Sequence, residues 1–69
     1  MNEKDFLEKM KKILDNEKVT IDSVLEDIEE WDSLSVVSYV TMANGCGKSV
    51  TLSQIRSCVS IRDLYSLLQ

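Results

Sequence analysis

Apolar positions recur every three or four residues at the start of the chain. Phe6, Met10, Ile13 and Leu14 fall on one face, with Leu7 at its edge. That period predicts an amphipathic helix over about 2–15. Lys4, Glu8, Lys9, Lys11 and Lys12 occupy the opposite face, and Glu8 and Lys12 stand at the favourable i,i+4 spacing. The pattern breaks at Asn16-Glu17-Lys18. Through 16–32, Val19, Ile21, Val24, Leu25 and Ile28 are scattered among polar residues. This predicts a long structured loop tacked onto the core, with a helical turn near 23–27. Loops of that length tend to carry function.

A second helix is expected to begin at Asp32 or Ser33. Aspartate is a good N-cap, and Glu29, Glu30 and Asp32 stand where the helix dipole favours negative charge. Leu34, Val36, Val37, Tyr39, Val40, Met42 and Ala43 carry it to about Asn44, with Gly45 as the expected left-handed terminator. Apolar residues cover more than one face. At least one of Val36, Val37 and Met42 is therefore expected to be exposed and to contact a partner. Thr51 or Ser53 is expected to cap a short turn over 54–58, anchored by Val50, Leu52 and Ile55. Ser60 is expected to cap a last helix over 61–68, with Asp63 completing a capping box and Ile61, Leu64, Leu67 and Leu68 buried. The sum is an all-α fold, a small antiparallel four-helix bundle of three main helices and one short one. It forms a single domain spanning residues 1–69.

Composition narrows the function. Sixty-nine residues bury a small core and leave little room for a catalytic cleft. The chain has no histidine, which removes the commonest general base and the commonest metal ligand. It is expected not to be an enzyme. The net charge is −4, and the charge is lopsided: residues 1–32 hold eleven acids and five bases, whereas 33–69 hold one acid and three bases. No basic patch offers itself to nucleic acid. No apolar run reaches membrane-spanning length, and no signal-like run opens the sequence. A cytoplasmic monomer, in contact with neither nucleic acid nor membrane, is the expectation. Cys46 and Cys58 are too few and too far apart for a zinc site, and are expected as reduced, small core residues.

Two segments invite chemical readings. Gly47-Lys48-Ser49 copies the end of a phosphate-binding loop, but Met42 stands where the motif needs glycine, and no strand precedes it. An exposed turn accounts for it. Asp32-Ser33-Leu34 stands at an expected helix N-terminus after a long loop. Free backbone N–H groups and the positive end of the dipole suit a phosphate ester there. Ser33 has no neighbouring base, so it reads as a substrate of another enzyme rather than as a nucleophile.

At this point Trp31-Asp32-Ser33-Leu34 resembles the D-S-L signature of the acyl carrier protein family, whose serine bears 4′-phosphopantetheine. An amphipathic first helix, a long loop, Val37 and Val40 after D-S-L, and the closing run from Ile55 through Leu68 fit the same pattern. Trp31 resembles a subset of free-standing carriers that work with dedicated biosynthetic enzymes. The resemblance implies that Ser33 is the attachment site. It implies that Asp32 helps a transferase and its magnesium-bound coenzyme A engage that serine. It implies that Leu34 anchors the helix start in the core. A phosphopantetheinyl transferase, a loading acyl- or aminoacyl-ligase or transferase, and a downstream synthase are the implied partners. The chain departs from the pattern in having no acid after D-S-L. The acids Glu26, Asp27, Glu29, Glu30 and Asp32 cluster before Ser33 instead, and Glu29 and Glu30 are expected to steer partners electrostatically. A dedicated or secondary pathway is expected ahead of bulk fatty-acid synthesis. The alternative from another class is an unmodified helical interaction module that uses the apolar second helix.

Overall fold

The computed structural model describes all 69 residues. The first helix, α1, spans Glu3–Leu14. Its first turn is held by Asn2, whose side-chain oxygen accepts the Asp5 N–H at 2.8 Å. Phe6, Met10 and Leu14 form its buried stripe, while Leu7 and Ile13 are half-buried. Glu8 pairs with Lys11 at 3.6 Å, not with Lys12 as the spacing predicted. Both spacings put charges on one face, and the exposed side chains settle on the nearer one. Asp15 ends the helix with φ 51°, a left-handed cap. The N–H groups of Asp15 and Asn16 close back on the carbonyls of Lys12 and Lys11.

The segment 15–32 is the long loop the sequence predicts. Val19, Leu25 and Ile28 are buried, and a single 3₁₀ turn forms at Leu25–Asp27. The loop is fastened to the start of the last helix through its backbone. Leu25 N–H donates to the Val59 carbonyl, Ile61 N–H to Ser23, and Arg62 N–H to Ile21, at 2.8–3.1 Å. These bonds include one isolated bridge, Val24 to Ser60, and no strand forms.

Helix α2 spans Ser33–Gly45, α3 Leu52–Arg56 and α4 Ile61–Ser66. The buried stripe of α2 is Ser35, Tyr39 and Ala43. Its terminator differs from the expectation. Gly45 is the last helical residue, and the left-handed glycine is Gly47, φ 80°. Gly47 N–H reaches the Asn44 carbonyl and Lys48 N–H the Ala43 carbonyl, both at 3.0 Å. That pair of bonds is the Schellman closure, set two residues later than the sequence suggested. Thr51 caps α3 and Ser60 caps α4, each in a reciprocal capping box. On α3 only Ile55 is buried; Leu52, expected as an anchor, is 57% exposed because a five-residue helix turns one side inward.

The core joins all four helices. Phe6 meets Tyr39 edge-on at 6.3 Å and Tyr65 at 5.4 Å, while Trp31 meets Tyr39 at 6.4 Å. Tyr39 is fully buried, and its hydroxyl donates to the Leu64 carbonyl at 2.6 Å. Burial pushes the Tyr39 hydroxyl well above its ordinary pKa, with the nearby Cys58 thiol adding to the effect. The fold is all-α, and no helix is long and apolar enough to cross a membrane.

Candidate functional site

Ser33 is the first residue of α2 and is exposed. Its hydroxyl makes no hydrogen bond within the protein, and neither does its backbone N–H. The capping work is done by its neighbours. Asp32 Oδ1 accepts the Leu34 and Ser35 N–H groups at 3.0 and 3.1 Å. In return the Ser35 hydroxyl accepts the Asp32 N–H at 2.7 Å and donates to the Glu30 carbonyl at 2.8 Å. Ser35 is buried at 4% exposure and fully satisfied there. Of two serines side by side on one turn, one is locked into the fold and the other is spare.

This arrangement trims the expectation for the helix N-terminus. Two of the first N–H groups are spent on the Asp32 carboxylate, leaving that of Ser33 open. The Ser35 N–H bond, with help from the Ser35 hydroxyl and the Leu34 N–H, holds the Asp32 carboxyl below its ordinary range. Asp32 is therefore a fixed negative charge one residue from the Ser33 hydroxyl.

Ser33 lines a groove of about 580 Å³ between the loop, α2 and α3. Seven of the ten lining residues are hydrophobic, among them Leu25, Trp31, Val36, Val37 and Leu52. The two charged ones are Glu26 and Arg56. Cys58 also lines the groove, with a thiol raised in pKa by burial and then by Asp63. A mostly apolar groove of this kind offers a surface on which an apolar group can lie.

The sequence-predicted residues divide among three places. Ser33, Val36 and Val37 share the groove. Val37 is 62% exposed and Val36 half-buried, so an exposed valine is present as expected. Met42 is half-buried and lines a separate depression against α1, with Lys9 and Lys12. Glu29 and Glu30 line a third depression in the loop, beside Asn16 and Lys18, and Glu30 accepts from Asn16 Nδ2 at 3.1 Å. They do not reach the Ser33 groove; Glu26 does. Leu34 requires a correction. It is 77% exposed and anchors nothing, because the inward position of that turn belongs to Ser35. Cys46 is likewise exposed in the turn after α2 rather than in the core, and both cysteines are free thiols.

Sequence reasoning missed Arg56, Cys58 and Ser35 as site residues. Ser35 had a signal, the Asp-x-x-Ser spacing of a reciprocal cap. Arg56 and Cys58 had none, since they approach Ser33 only through tertiary packing. No family model, curated protein or solved structure matches this chain.

Proposed function

We propose that this chain is an acyl or aminoacyl carrier protein that holds its cargo through 4′-phosphopantetheine attached at Ser33. The observation that carries the reading is the spare serine: Ser33 is exposed, unbonded, and opens onto an apolar groove. The bundle is then read as the antiparallel four-helix carrier type, with α3 as its short member. The residues present suit the attachment. Modification of the Ser33 oxygen breaks no internal hydrogen bond, and the open Ser33 N–H is a donor for an ester oxygen. Asp32, held by its cap bonds, is the acid that in this reading would help a magnesium-bound coenzyme A engage Ser33. When attached, the arm supplies a terminal thiol that carries an acyl group as an activated thioester.

The chain's own residues bind and present; bond-making belongs to partner enzymes, in a cytoplasmic, dedicated biosynthetic pathway. A phosphopantetheinyl transferase, a loading ligase or transferase, and a downstream synthase are the partners this role requires. Tethering raises the cargo's effective concentration at each partner site, which is the gain a carrier provides.

The second reading, an unmodified interaction module, is favoured by the exposed Leu34 and Val37. Intact mass separates the two. Purified protein incubated with coenzyme A and a promiscuous transferase should gain one phosphopantetheine, and Ser33→Ala should gain none. A folded protein, verified by circular dichroism, that gains no mass overturns the carrier reading.

A further inference from the structure

The chain holds three asparagines, and the carboxamides of two are engaged. Asn2 Oδ1 accepts the Asp5 N–H, while Asn16 accepts the Lys18 N–H and donates to the Glu30 carboxylate. The third, Asn44, is exposed in the last turn of α2, and its carboxamide bonds to nothing within the protein. It is also the asparagine followed by glycine; glutamates follow the other two. A side chain on the following residue shields its backbone nitrogen, and Gly45 has none. A methyl group built on Gly45 would meet nothing within 4 Å, so the space beside it is open.

We propose that Asn44 is a site of spontaneous covalent modification, converting to aspartate and isoaspartate through a cyclic imide formed with Gly45. The Gly45 nitrogen loses its proton to solvent base and attacks the side-chain carbonyl carbon of Asn44. The bond from that carbon to the carboxamide nitrogen breaks, and the nitrogen takes up protons and leaves as ammonia. Water then opens the ring. Addition at the side-chain carbonyl gives aspartate. Addition at the main-chain carbonyl gives isoaspartate, in which the chain runs through the former side chain. The sum is one water consumed and one ammonia released, with no oxidant and no enzyme.

The fold sets the rate and the consequence. Gly45 is the last residue of α2, and its N–H lies in the helix ladder, away from the Asn44 carboxamide. The reaction therefore proceeds from molecules whose last turn is open. The Asn44 carbonyl accepts the Gly47 N–H, and the Ala43 carbonyl accepts the Cys46 and Lys48 N–H groups, all at 3.0 Å. Isoaspartate adds one carbon to the main chain inside that closure and breaks it. Either product puts a negative charge at the C-terminal end of α2, where the dipole opposes it and no basic residue stands in the last turn. Lys48 follows shortly in sequence, and its ammonium already donates to the Gln69 carbonyl. Ser33 lies at the other end of the helix, about 17 Å along its axis. The modification is thus independent of the carrier reading.

The test incubates the full chain, labelled with ¹⁵N, in mildly alkaline buffer at physiological temperature. Intact mass and peptide mapping should place an amide-to-carboxyl exchange at Asn44, and an isoaspartyl methyltransferase should label the product. The folded chain should convert about tenfold more slowly than a peptide of residues 41–48, since a terminal turn must open first. Gly45→Ala, for which the helix has room, should lose the conversion. In the converted fraction, separated by its added charge, the amides of Cys46, Gly47 and Lys48 should shift while those of Leu34 and Ser35 stay in place. The proposal is overturned if the exchange maps to Asn2 or Asn16, or if Gly45→Ala converts as fast as the parent chain. It is overturned equally if Asn44 persists in the folded chain once the peptide is fully converted, or if conversion leaves the amides after α2 unmoved.

Discussion

Asp15 holds a left-handed backbone conformation that side chains other than glycine seldom adopt. It also places a negative charge at the C-terminal end of α1, where the helix dipole opposes it. Both costs are tolerated because the turn lets two N–H groups close on α1 carbonyls. Asp15→Gly keeps the turn and removes both penalties. The glycine loses more entropy on folding, which offsets part of the gain. The net effect should be a stabilisation of about 0.5–1 kcal/mol, read from urea denaturation. Gly47, already glycine at φ 80°, shows the alternative solution at the end of α2. The sequence offered two glycines for that role, and local pattern favoured Gly45. The closing bonds, from Gly47 to Asn44 and from Lys48 to Ala43, form around Gly47 instead.

At the scale of the element, α2 is the least self-explanatory part of the chain. Its apolar residues run nearly all round it, so periodicity does not say which face turns inward. The packing chose Ser35, Tyr39 and Ala43. A buried serine at the head of that stripe is stable because its hydroxyl closes the cap and reaches the Glu30 carbonyl. Ser35→Ala leaves the Asp32 N–H and the Glu30 carbonyl without that partner. It should cost about 1–2 kcal/mol in urea denaturation and fray the first turn of α2 in hydrogen exchange. An unchanged midpoint would mean that the Ser35 bonds contribute nothing. The same substitution at Ser33 should leave stability unaltered, since the Ser33 hydroxyl bonds to nothing within the protein. That contrast tests the division of labour between the two serines without reference to any cofactor.

At the scale of the whole molecule, two helix caps connect stability to pH. Asp63 accepts the Val59 and Ser60 N–H groups at 2.8 and 3.1 Å, and these bonds hold its carboxyl below the ordinary range. Asp32 is lowered in the same way. Both groups therefore bind protons less readily folded than unfolded. Their stabilisation is complete above the unfolded carboxylate value of about 3.9 and is lost as pH falls through the folded values. Thermal unfolding should accordingly hold steady at mildly acidic pH and drop below about pH 4. Asp63→Asn should lower Tm at neutral pH and flatten that acid limb. If the limb keeps its slope, Asp63 is not the group that titrates. Arg62, paired with Asp22 and Glu3 at the surface, should add little, because exposed pairs contribute at most about 1 kcal/mol.

The chain by itself determined the four helices, the N-caps at Asp32 and Ser60, and the position of Ser33 at the head of α2. These depend on residues three or four apart, such as Ser60 with Asp63, and Phe6 with Met10 and Leu14. Short-range spacing is legible because a helix repeats every 3.6 residues whatever surrounds it. Tertiary structure alone decided what depends on long-range approach. It brought Arg56 and Cys58 to the Ser33 groove, turned Leu34 outward, and separated Met42, Glu29 and Glu30 from that groove. On a helix apolar all round, the inward face is set by what packs against it, and here Phe6, Trp31 and the Leu64 carbonyl gather around Tyr39.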